Sequence, residues 1–150
     1  GTKLEEANFS IVFNDLSMLS EYTRPIPTSV YKLLKRTLPG PYTYILNATN
    51  KIPKLFQHKK KTVGIRIPDN GVPRAIVEAL GNPIAVSSIH DRDNVVEYTT
   101  DPELIHERYK SMVDITIYGG MGANEPSTII DCSGTEPALI RQGKGPIEDL

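Results

Sequence analysis

Val63-Gly64-Ile65-Arg66-Ile67-Pro68 is short, β-branched and closed by a proline, the pattern of a buried strand. One residue breaks the apolar run. Arg66 carries a permanent charge, so it either points to solvent or needs a partner. A partner of the right shape is a carboxylate or phosphate, which a planar guanidinium grips in bidentate fashion. The stretch that follows is equally legible. Pro68-Asp69-Asn70-Gly71 has turn chemistry. Residues 72–80 then read as a helix, with Pro73 at its start and Gly81 just past its end. Residues 84–86 are a brief buried strand. Strand, helix and strand within about 25 residues point to an α/β arrangement.

Working outward, residues 9–13 (FSIVF) form another short apolar strand. Asn14 or Asp15 is placed to cap a helix with Leu16, Leu19 and Tyr22 on its apolar side, broken by Pro25 and Pro27. Thr28 or Ser29 caps a second helix, with Val30, Leu33 and Leu34 on one face and Lys32, Lys35 and Arg36 on the other. Leu38-Pro39-Gly40-Pro41 stops it, and residues 42–46 (YTYIL) are a strong strand. Downstream, Asp101-Pro102-Glu103 opens a helix running to about residue 110. Residues 115–118 predict a strand ending at Gly119-Gly120, and residues 127–131 and 138–141 two more. Six or seven strands and about four helices make one α/β (α+β) domain with a twisted mixed sheet and flanking helices. The strands do not alternate strictly with helices, which argues against a purely doubly wound order.

The chain of 150 residues is long enough for one domain with a real core. Its net charge of −1 provides no global basic field, so nucleic-acid binding requires a local patch. Cys132 is the only cysteine, which excludes an internal disulfide and fits a reducing compartment. No apolar run approaches the ~20 residues of a membrane span and no signal peptide is visible, so the cytoplasm is the expected location, with no membrane partner. Gly1-Thr2-Lys3 is not an initiator sequence, and the expectation is a single domain over 1–150 that lacks its N-terminal segment.

His58, His90 and His106 lack ligand spacing, so no protein-bound metal is expected. There is no Walker A loop and no Gly-x-Gly-x-x-Gly opening a helix. Gly119-Gly120-Met121-Gly122 reads as a turn first and a phosphate cradle second. Cys132 reads as a packing residue. Besides Arg66, two features carry chemistry. Hydroxyls gather near strand ends, at Thr43, Ser87, Ser88, Ser127 and Thr128, where open α/β sheets bind ligands; turn chemistry explains single cases equally well. Arg141 stands near a strand end, close to Gly143. Residues 51–61 contain five lysines and read either as a solvated turn or as a phosphate-tracking surface.

Taken together, Leu38-Pro39-Gly40-Pro41-Tyr42-Thr43, Val63-Gly64-Ile65-Arg66-Ile67-Pro68, Pro83-Ile84-Ala85-Val86-Ser87-Ser88, Glu125-Pro126-Ser127-Thr128-Ile129-Ile130-Asp131 and Ile140-Arg141-Gln142-Gly143 resemble, in order, motifs of the YrdC-like family, whose members include threonylcarbamoyl-AMP synthases. The resemblance implies a large concave cavity over the twisted sheet. It also implies a nucleotidyltransferase reaction: ATP, L-threonine and bicarbonate give threonylcarbamoyl-AMP and pyrophosphate, for threonylcarbamoyl modification of tRNA adenosine. By the same resemblance Arg66 and Ser127 hold the threonine, and Thr43, Ser88, His90 and Arg141 hold ATP, which brings its own Mg²⁺. No residue is assigned to the chemical step. His90 stands where the family's Ser-x-Asn motif has asparagine, and an imidazole replaces only part of an amide's hydrogen bonding. The family's Lys-x-Arg motif falls at the very start, with Thr2 at its arginine. Asn8-Phe9-Ser10, Asp15-Leu16-Ser17 and Lys61-Thr62-Val63-Gly64 are similar to the YciO branch. That branch implies an alternative: a double-stranded RNA, tRNA or nucleotide-binding module without efficient synthase activity, with Lys59, Lys60 and Lys61 as the RNA-binding candidates.

Overall fold

The computed structural model describes residues 9–89, 100–120, 122 and 125–150. They fall into two compact units, one comprising the residues up to Ser87 together with Pro126–Leu150, the other Ser88–Glu125. The first unit carries a six-stranded sheet: β1 (Phe9–Val12), β2 (Tyr42–Asn47), β3 (Thr62–Arg66), β4 (Ile84–Ser87), β5 (Thr128–Asp131) and β6 (Ala138–Arg141), in the spatial order β4-β1-β3-β2-β5-β6. The β1–β3 and β2–β5 pairs are parallel; β1–β4, β2–β3 and β5–β6 are antiparallel. The mixed sheet expected from the sequence is therefore present.

Four α-helices are described: α1 (Leu19–Tyr22), α2 (Thr28–Thr37), α3 (Gly71–Leu80) and, in the second unit, α4 (Pro102–Tyr109). α3 starts where Asn70 accepts a hydrogen bond from the Val72 amide and stops at Gly81, whose φ of 77° is left-handed, a conformation glycine adopts without side-chain cost. Asp101 caps α4 through the Glu103 amide.

Three elements differ from the sequence reading. The first helix is a single turn, because the Asp15 carboxylate accepts from the amide and hydroxyl of Ser17 and closes a local turn that competes with helix. β4 is an edge strand with Ala85 and Ser87 exposed, rather than a buried one. Residues 115–118 pair with no strand among the described residues, and Ile115 is 78% exposed; apolar alternation marked a strand, but no ladder partner completes it.

Side-chain alternation splits the sheet into two faces. One face carries Ile11, Phe13, Tyr44, Val63, Ile65 and Ile130, which join Leu19, Val30, Leu33, Leu34 and Leu38 in one buried cluster. α1 and α2 thus bury their apolar sides on this face. At its centre Tyr44 is fully buried and shares a hydrogen bond with Thr37 Oγ1. Thr37 Oγ1 already donates to the Leu33 carbonyl at 2.9 Å, and it has one proton, so Tyr44 is the donor. Burial pushes the Tyr44 phenol up to about 12. An unfolded tyrosine ionises near ~10, so the folded chain holds the proton more tightly. That stabilisation is complete below pH ~10 and is lost as pH rises towards ~12. Tyr44→Phe should cost about 1 kcal/mol at pH 7 and match the wild type near pH ~11, where the wild type has lost a similar amount. Urea denaturation at the two pH values checks this; a Tyr44→Phe deficit that stays constant from neutral to alkaline pH sinks it.

Candidate functional site

The opposite face bears three of the sequence-predicted residues, Arg66, Thr43 and Arg141. Val12 pairs with Arg66, Thr43 with Ile129, and Ile129 with Arg141. Continuing the β2–β3 register by one residue sets Thr43 opposite Arg66. Arg66, Thr43 and Arg141 therefore lie along one rung of the sheet and face the same way. Two residues along, on the same face, the next rung holds Ser10, Gly64, Ile45 and Asp131.

Arg66 Nε is buried and has no hydrogen-bond partner among the described residues. The guanidinium's pKa is lowered, first by burial and then by the cation of Arg141. No carboxylate of the described residues pairs with it. Thr43 and Ser127, 84 positions apart, share a hydrogen bond between hydroxyls at 2.7 Å. Arg141 donates from Nε and Nη2 to the Ser127 carbonyl at 3.1 and 2.8 Å. It is exposed, and here it orients Ser127 directly. Two cations and a hydroxyl pair thus share one surface, a set whose chemistry suits an anion.

The segment after β6 pins this arrangement. Lys144 N donates to the Pro126 carbonyl, Gly143 N to Thr128 Oγ1, and Thr128 Oγ1 to the Gly145 carbonyl. Tyr42 OH donates to the Pro146 carbonyl at 2.6 Å. Thr128 is therefore a structural hydroxyl, fully buried and spent on the strap.

Ser88 is exposed and belongs to the second unit. His90 lies outside the described residues. Of the lysines, Lys51 pairs with Glu21 at 3.3 Å and Lys61 Nζ donates to Asn50 at 2.6 Å. Lys59 and Lys60 are exposed, and the backbone at Lys60 and Lys61 is left-handed. His58 contacts the Phe9 carbonyl at 2.7 Å, and His106 the Thr116 hydroxyl at 2.8 Å; both rings have structural partners. Among the described residues, no group of three or more His, Cys, Asp or Glu side chains could hold a metal ion, and no helix is long and apolar enough to cross a membrane. Burial pushes the Cys132 thiol up to about 11, which suits packing rather than nucleophilic attack.

The Sua5/YciO/YrdC family model, described as telomere recombination, matches residues 3–143. The chain belongs to the Sua5/YciO/YrdC family. It is 40% identical over 145 residues to an uncharacterized protein of Haemophilus influenzae, covering 95% of this chain and 70% of that protein. The crystal structure of Escherichia coli YciO superposes with a TM-score of 0.82 at 35% identity, covering 95% of this chain and 68% of that one. Pyrococcus abyssi Sua5 complexed with L-threonine gives a TM-score of 0.83 at 26% identity, covering 97% of this chain and 42% of that one. A threonylcarbamoyl-AMP synthase of the same organism is 27% identical over 139 residues, 92% of this chain and 39% of that protein. This family member is thus related to the synthases, with higher identity to YciO-type proteins.

Two residues of the face escaped sequence reading as site residues. Ser10 is the polar position in an apolar strand and ends the YciO-like run Asn8-Phe9-Ser10, neither of which marks it as a site residue. Gly64 sits inside a family-like motif, but its place opposite Ser10 comes from strand register.

Proposed function

We propose that this family member forms threonylcarbamoyl-AMP from L-threonine, bicarbonate and ATP, with Arg66 holding the carboxylate of the amino acid. The observation that carries the proposal is the buried Nε of Arg66, unpartnered among the described residues, on a sheet face that also bears a second cation and a paired set of hydroxyls. A buried guanidinium without a carboxylate costs free energy that an anionic ligand recovers. The L-threonine complex of the related Pyrococcus abyssi Sua5 supports the choice of amino acid.

The amino nitrogen of threonine attacks the bicarbonate carbon, releasing water and leaving a carbamate. A carbamate oxygen then attacks the α-phosphorus of ATP. The bond from that phosphorus to the bridging oxygen breaks, and pyrophosphate leaves with the Mg²⁺ that accompanies the nucleotide. Arg66 fixes the carboxylate so that the amine faces away from the sheet. Ser127 joins Arg66 at the threonine, and Thr43 turns its shared hydroxyl to the nucleotide, with Arg141 beside its phosphates.

The test is pyrophosphate release by the full chain supplied with Mg-ATP, bicarbonate and L-threonine. Release is expected only when all three are present. Release that persists without threonine, or none above background, overturns the proposal.

A further inference from the structure

We infer that a cleft bordered by α2 and α3, separate from the sheet face of Arg66, binds a small carboxylate with an apolar body. The cleft measures about 300 Å³, the lower end of the range for small-molecule sites. Tyr31 and Lys35 of α2, Arg74 of α3, Asp15, Leu38 and Ile67 are among its walls, and all of them belong to the first unit. Leu38 and Ile67 give it an apolar floor, since both are part of the buried cluster on the face away from Arg66.

The polar part of the lining is cationic. Arg74 is half-buried, and its Nε donates to the Asn14 carbonyl at 3.0 Å, which fixes the plane of the guanidinium. Its two terminal nitrogens make no hydrogen bond to a described residue, so they remain as a planar fork of the shape a carboxylate fits. Lys35 Nζ stands 5.9 Å from the centroid of the Tyr31 ring. Neither cation forms an ion pair with a described residue. Asp15 is the carboxylate of the lining, and it accepts from the amide and hydroxyl of Ser17. Its pKa is lowered first by those bonds, with the Arg74 charge a lesser cause. Two cations against one carboxylate leave a single positive charge, which matches a monoanion better than a phosphate dianion. The apolar floor and the half-exposed Tyr31 ring call for an apolar, preferably aromatic, body on the ligand.

The experiment is NMR titration of the full chain with phenylacetate, phenylacetamide and phenyl phosphate, read at the Tyr31 ring. It uses the wild type, Arg74→Gln, Lys35→Gln and Arg66→Gln, with thermal melts confirming that each variant folds. Phenylacetate should bind the wild type with a Kd of about 1 mM, ordinary for a ligand of so few atoms. Phenylacetamide, which has the same shape without the charge, should bind about tenfold more weakly, and phenyl phosphate should also be the weaker ligand. Arg74→Gln should weaken phenylacetate by about tenfold or more. Lys35 is exposed, so Lys35→Gln spares the fold and should weaken it by about threefold. Arg66→Gln should leave the Tyr31 response unchanged, which separates this cleft from the sheet-face site. The proposal is overturned if the amide binds as well as the acid, if phenyl phosphate binds more tightly, or if phenylacetate leaves the wild-type Tyr31 ring unmoved. It is equally overturned if the response survives Arg74→Gln but is lost in Arg66→Gln, because the carboxylate then sits on the sheet face.

Discussion

Arg66→Gln should lose L-threonine binding by about 100-fold and at the same time melt at a higher temperature than the wild type. The two effects have one cause. Arg66 sits in an apolar strand with a buried Nε that finds no acceptor among the described residues, and its pKa is lowered first by burial and then by Arg141. Both observations say that the folded chain pays to keep this charge. A neutral, shorter amide removes the charge and relaxes its repulsion with Arg141, so the variant gains stability, by about 1 kcal/mol. The ligand loses a charge-assisted fork to its carboxylate, an interaction whose removal costs about 3 kcal/mol in a desolvated site. Arg66→Lys keeps the charge without the planar fork and should fall between, near tenfold. Titration calorimetry and a thermal melt on the same samples decide it. Unchanged threonine affinity together with a lower melting temperature would show that Arg66 is a structural cation.

Gly143→Ala should be the most destabilising single methyl in the sheet region, at about 3 kcal/mol or roughly 10 °C in melting temperature. A Cβ at position 143 would lie 2.1 Å from the Pro126 carbonyl oxygen and 2.6 Å from that of Ser127. Neither is the end of a flexible side chain; both belong to the backbone leading into β5. The strap must lift, and with it go the Lys144–Pro126 and Gly143–Thr128 hydrogen bonds. Thr128, fully buried, loses its bond to the Gly145 carbonyl as the strap lifts and is then left with an unsatisfied hydroxyl, and that desolvation penalty is the larger part of the cost. The same shift moves the Ser127 carbonyl away from Arg141 and the Ser127 hydroxyl away from Thr43. Loss of stability and loss of threonine binding should therefore appear together. A folded Gly143→Ala chain with wild-type melting and binding would sink the strap's role in holding the site.

Much of this architecture was legible in local pattern. The apolar alternation of residues 42–46 and 63–67 and the glycine stop at Gly81 specify their elements through short-range chemistry, and all appear in the structure. Local pattern failed where a competing or missing partner decided the outcome. Asp15 bonded Ser17 and cut the first helix to one turn. Residues 115–118 have a strand's alternation but no paired neighbour among the described residues, and a strand is defined by its ladder rather than by its own sequence.

The sequence by itself determined that Arg66 is anomalous, since no ordinary buried strand carries a fixed charge, and its flanking motifs tied that anomaly to a family. Only the tertiary structure decided what the anomaly means. Strand order and register bring Thr43, Arg141 and Ser127 to the face of Arg66, with Thr43 and Ser127 meeting from 84 residues apart and Arg141 from farther still, and set Ser10 against Gly64. No local propensity encodes those pairings. They follow from burying Tyr44, Ile65, Ile11 and Ile130 together on the far side of the sheet, which, by the two-residue period of a strand, turns every intervening side chain towards the site.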